Sequence, residues 1–133
     1  MPPGTGDAAL TLTQLAPLSG AVIVTTANDL SLIDARKGLQ MFAKVNVPIL
    51  GIVENMAWFE CDAGKKYPIF GEGGGAKEAA MLNVPLLAQI PIDMPTRAGG
   101  DAGKPVALMP AAESKVAAAF HELADKVKSA VHA

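Results

Sequence analysis

The sequence predicts an α/β fold, a three-stranded, mostly parallel sheet flanked by helices. Two patterns carry that expectation. Residues 21–26, 48–55 and 85–90 are short apolar runs without the polar alternation of a half-exposed strand, as expected of strands covered on both faces in a parallel sheet. Between them the period changes to that of helices, at the length of βαβ units, whose crossovers are right-handed. The 133 residues suit a single domain, 1–133.

The elements follow in order. Residues 1–7 read as a Pro- and Gly-rich loop, and Asp7 is placed to cap a short helix reaching about Ala16. Pro17 to Gly20 then break the chain before the first strand. Asn28, Asp29 and Ser31 offer competing caps for a second helix, in which Leu32, Ala35, Leu39 and Phe42 recur at helical spacing as far as about Val45. The second strand, 48–55, gives way to an irregular Gly-rich loop over 56–75 that carries Trp58, Cys61, Tyr67 and Phe70, and loops of this length are often functional. A short helix over 76–82 stops at Asn83, and the third strand follows. Residues 91–105 read as a loop. Pro110 opens the last helix, with Val116, Phe120, Leu123, Val127 and Val131 on one stripe.

Composition narrows the function classes. Half of the residues are hydrophobic and 18% are charged, with 13 glycines and 10 prolines, a balance that suits a folded chain with many turns. The net charge of -2 and the lack of a Lys/Arg run give no footprint for nucleic acid or an anionic membrane. No apolar run approaches the roughly 20 residues of a membrane span, and no export signal is present. The single cysteine, Cys61, forms no disulfide framework within the chain and points to a reducing, cytoplasmic compartment.

The string Pro2-Pro3-Gly4-Thr5-Gly6-Asp7 resembles the switch segment of the Mrp/ApbC family, MinD-like deviant P-loop ATPases of iron–sulfur cluster assembly. The resemblance continues in order through Val24-Thr25-Thr26, Ile33-Asp34-Ala35-Arg36-Lys37-Gly38, Gly51-Ile52-Val53-Glu54-Asn55-Met56, Ile90-Pro91-Ile92-Asp93 and Asp101-Ala102-Gly103-Lys104-Pro105-Val106. It covers practically the whole chain. It implies the C-terminal half of a P-loop NTPase fold, an ATP site, and cluster carriage between subunits of a homodimer and on to recipient proteins.

The phosphate loop that the resemblance places upstream does not occur in these residues. Its nearest decoy, 98–105, has Ala98 at the first glycine position and Pro105 at the hydroxyl position of G-x-x-x-x-G-K-[ST]. The expectation is therefore a truncated chain that starts at an internal methionine of a longer ancestor. Such a chain has no ATPase activity by itself, and a separate N-terminal half is a possible partner. A second expectation is a non-catalytic module that self-associates or binds partners, with the apolar first strand as its contact.

The resemblance also assigns site residues. Gly4 is implied to approach a nucleotide γ-phosphate, with a plain turn as the alternative. Asn55 is implied to contact an adenine edge, with Pro91 and Asp93 as the other wall of the base pocket, and a turn-forming asparagine is the alternative. Cys61 stands where the resemblance implies a C-x-x-C pair holding a bridging iron–sulfur cluster. The second position here is Gly64, so two chains offer two thiolates, and the residue also reads as a plain loop cysteine. Gly73-Gly74-Gly75 reads as loop flexibility, and His121 and His132 as solvated surface residues.

Overall fold

The computed structural model describes residues 7–132. Helix α1 (Asp7–Leu15) leads to strand β1 (Ala21–Thr25), helix α2 (Asp29–Lys44) and strand β2 (Ile49–Glu54). Asp7 is the first helical residue, where free amides favour a carboxylate. Asn28 caps α2 by position only, because its side-chain oxygen accepts from the Thr26 hydroxyl instead of a helix amide. Helix α3 (Gly74–Met81) ends as Asn83 turns left-handed at φ 56°, and strand β5 (Leu86–Gln89) follows. The sheet order is β1-β2-β5, with both pairs parallel.

Three stretches depart from the sequence expectation. Within 56–75 the chain forms a two-stranded antiparallel hairpin, β3 (Phe59–Glu60) and β4 (Lys66–Tyr67), closed by Cys61 N–H donating to the Lys65 carbonyl at 3.0 Å. Two residues per strand are too few to leave a periodic signal. Within 91–105 lies a helix, α4 (Met94–Asp101), started by the Asp93 side chain and Pro95. Gly99 and Gly100 depress its propensity, which is why the sequence reads as a loop. The last helix, α5 (Lys115–Val131), begins five residues after Pro110, where the Ser114 hydroxyl accepts from Ala117 N–H at 3.1 Å.

Helices cover both faces of the sheet. On one, Ala9 of α1, Ala35, Met41 and Phe42 of α2 and Ala79 of α3 pack on Ala21, Ile23 and Ile52. On the other, Val116 and Ala117 of α5 pack on Val53, Leu87 and Ala88, with Phe120, Leu123 and Val127 joining from the same stripe. This face is covered chiefly over β5 and β2. Val24, on β1, is 62% exposed.

One ion pair ties α2 to α3. The Arg36 guanidinium grips the buried Glu78 carboxylate with two nitrogens, Nη2 at 2.8 Å from Oε2. The Arg36 hydrogen bond, then its charge, hold the Glu78 carboxyl below its ordinary 4.5, against the upward push of burial. A depressed carboxyl contributes stability that is complete above the unfolded value and is lost as the pH falls through the folded one. Glu78→Gln is therefore expected to lower the melting temperature at neutral pH and to weaken the acid dependence below about pH 4.5. Thermal melts of both proteins across the acid range check this.

Candidate functional site

Two of the cavities near the carboxyl ends of β2 and β5 share a wall. Asn55 follows β2 directly and is fixed by its N–H, which donates to the Thr25 carbonyl at 2.7 Å, while Ile90 N–H donates to the Glu54 carbonyl at 2.8 Å. The first cavity, about 290 Å³, is lined by Asn55, Pro91, Asp93, Thr96, Arg97 and Phe120 among others. Asn55, Pro91 and Asp93 thus meet at one place. The Asp93 carboxylate is already engaged, accepting from Thr96 N–H at 2.8 Å and from the Thr96 hydroxyl. It shapes the wall as the cap of α4 and offers less to a ligand than its charge suggests. Pro91 and Phe120 give the cavity apolar surface, and the Asn55 amide brings one donor and one acceptor function, the chemistry that reads the edge of a planar base.

The second cavity, about 400 Å³, is lined by Glu60, Cys61 and Lys115 and again by Pro91, Ile92 and Asp93. Cys61 is a half-buried free thiol. Lys115 Nζ lies 2.6 Å from Glu60 Oε2 and pins the hairpin to the start of α5, and this hydrogen bond lowers the Glu60 carboxyl below its ordinary value. Among the described residues no group of three or more His, Cys, Asp or Glu stands together as a metal site.

Gly4 lies outside the described residues. Gly74 and Gly75 of the triple glycine are packed, contrary to their reading as flexible loop, while Gly73 stands in open space at φ 72°. Gly75 N–H donates to the buried Glu54 Oε1 at 2.7 Å, and a Cβ there would stand 2.5 Å from that oxygen. Glu54 thus caps α3 from the end of β2, a role that no spacing in the sequence signals. Thr96 and Phe120 were also missed as cavity residues, though Asp93-x-x-Thr96 is a helix-cap spacing that could have found the first. His121 Nε2 lies 2.8 Å from the Ala107 carbonyl and ties α5 to the turn at Val106–Leu108, while His132 is exposed.

The ParA family, described as NUBPL iron-transfer P-loop NTPases, matches residues 1–128 by its sequence profile. The chain belongs to this family. An iron–sulfur cluster carrier protein of Pseudomonas fragi is 52% identical over 93% of the chain and 43% of its own length. The iron–sulfur cluster transfer protein NUBPL of Mus musculus is 43% identical over 96% of the chain and 40% of its own length. The chain therefore spans about two fifths of these relatives. A nucleotide-binding protein of Archaeoglobus fulgidus, solved with ADP, superposes with a TM-score of 0.70 at 41% identity, covering 78% of this chain and 43% of that one. The parallel sheet with helices on both faces is that of P-loop NTPases.

The 98–105 decoy is no phosphate cradle, because Gly99 to Asp101 lie at the C-terminal end of α4 and Lys104 N–H donates to the Gly99 carbonyl at 2.7 Å. Helix C-termini repel anions. No helix among the described residues is long and apolar enough to cross a membrane.

Proposed function

We propose that this chain is the base-binding and thiol-bearing part of a nucleotide-linked iron–sulfur cluster carrier, with ATP as the nucleotide and the cluster as cargo for recipient proteins. In this reading Gly4 approaches the γ-phosphate and the remaining phosphate contacts come from polypeptide outside the 133 residues. The observation that carries this reading is the meeting of Asn55, Pro91 and Asp93 in one cavity at the strand ends, beside the cavity of Cys61. The half-buried free thiol of Cys61 supports a reducing compartment, and the reading takes the cytoplasm as the place of action. ADP titrated into the isotopically labelled chain is expected to shift Asn55 and Ile92 amides saturably, with Asn55→Ala weakening binding about tenfold. Shifts unchanged by that substitution would remove the base-site reading.

Two expectations separate the chain from a complete carrier. Steady-state phosphate release from ATP is expected at background, because phosphoryl transfer needs positioned cations and amides around the γ-phosphate. Turnover that copurifies with the chain and disappears in Asn55→Ala would contradict this. Anaerobic reconstitution with iron and sulfide is expected to leave no stable four-iron cluster, since one cysteine per chain gives a pair of chains two thiolates. About four irons per dimer, lost in Cys61→Ser, would show that other ligands complete the site.

A second reading, self-association through β1, is favoured by the position of that strand at the sheet edge and by the exposure of Val24.

A further inference from the structure

The two cavities are not independent. Pro91, Ile92 and Asp93 line both, so one three-residue segment separates the Asn55 cavity from the Cys61 cavity. That segment is also bonded to the base of the hairpin that carries Cys61. Ala57 N–H donates to the Ile90 carbonyl at 2.9 Å and Ile92 N–H to the Trp58 carbonyl at 2.8 Å, and Phe59 and Ile92 form a parallel bridge. On its other side the segment is held by Asp93, whose carboxylate starts α4. A displacement of Pro91–Ile92–Asp93 therefore pulls on the hairpin from one end and on α4 from the other.

The hairpin is the element of this region held by the fewest bonds of its own. With two residues in each strand it is marginal by itself and depends on its attachments, namely the pairing to 90–92 and the Lys115–Glu60 ion pair. Opening it would take Cys61 out of the cavity it lines. We propose that Pro91–Ile92–Asp93 couples the two cavities, so that a nucleotide base seated against Asn55 holds the hairpin closed and shields the Cys61 thiol. The proposal rests on the base-site reading above. Its physical basis is linkage: a ligand that packs on the segment only in its hairpin-bonded position favours the closed state by its differential affinity for the two.

The test uses the 133-residue chain, ADP as ligand, and two readouts other than turnover. The first is the rate at which iodoacetamide alkylates Cys61. The second is hydrogen exchange of the Cys61 amide, whose bond to Lys65 is broken when the hairpin opens. Saturating ADP is expected to slow both by the same factor, about fivefold or more, and Asn55→Ala is expected to abolish the effect. If ADP shifts the Asn55 amide yet neither rate changes, the coupling is overturned and the base site stands. Slower alkylation with unchanged exchange means simple screening of the thiol and also overturns the coupling. Absence of any ADP binding removes the base site, and the coupling with it.

Discussion

Gly51→Val is expected to cost about 3–5 kcal/mol of stability, the sum of backbone strain and overpacking. Gly51 lies inside β2 with φ 156°, and a Cβ there would stand 2.6 Å from the Pro85 carbonyl oxygen and 2.6 Å from Leu87 Cγ. The leucine can rotate away. The Pro85 oxygen cannot, because it accepts from Ile52 N–H at 2.9 Å and so belongs to the pairing of β2 with β5. Relieving the clash breaks the sheet at its centre, between the two strands that supply Val53, Leu87 and Ala88 to the α5-side core. A fall in melting temperature of about 10–20 °C follows for a domain of this size. Gly100→Ala serves as the control. A Cβ there meets nothing within 4 Å, and its place in α4 makes the change neutral or slightly stabilising. Equal melting temperatures for the Gly51 variant and the parent would refute the account of this contact.

Val24→Lys is expected to raise the dissociation constant of a homodimer at least about a hundredfold, equivalent to about 2.7 kcal/mol. The sheet order leaves β1 at an edge, with no strand among the described residues on its outer side. Ala-Val-Ile-Val-Thr carries no charge and no proline to discourage pairing. An antiparallel two-fold contact centred on Ile23 sets Val22 of each copy against Val24 of the other, on the face where Val24 is 62% exposed. Two three-stranded sheets then join into one. A lysine at position 24 places an ammonium in that seam without touching the monomer core. Sedimentation at micromolar concentration distinguishes the outcomes, and a well-folded wild-type monomer with fast-exchanging β1 amides would rule the contact out.

The parallel sheet was legible because Ala21–Thr25, Ile49–Glu54 and Leu86–Gln89 are apolar on both faces, a pattern few other settings tolerate. Asn83 was legible as a stop because asparagine accepts the left-handed turn. Helix α4 was not, since Gly99 and Gly100 weaken it locally and its start depends on the Asp93 cap. The last helix was set too early at Pro110, a residue that opens helices, because Ser114 supplies a stronger start a few residues on. Asn55, Pro91 and Asp93, singled out from residue strings, line one cavity, but the engagement of Asp93 by Thr96 and the capping of α3 by Glu54 were not read from the sequence. The Glu54 cap depends on groups 21 residues apart meeting across elements, which no local pattern records, whereas Thr96 lies within the short Asp93-x-x-Thr96 cap spacing.

The chain's one tryptophan, Trp58, directly precedes β3, and this gives the molecule an optical signal of its own. Trp58 sits where the hairpin joins the 90–92 segment, with Lys66 Nζ of the opposite strand 4.4 Å from its ring centroid and its indole nitrogen buried. The ring lies under a cation with its nitrogen out of water, and opening the hairpin would remove the lysine and hydrate the indole. Under the coupling proposed above, emission from the unmodified chain is expected to move to longer wavelength as the hairpin parts, a readout that needs no label on the neighbouring thiol.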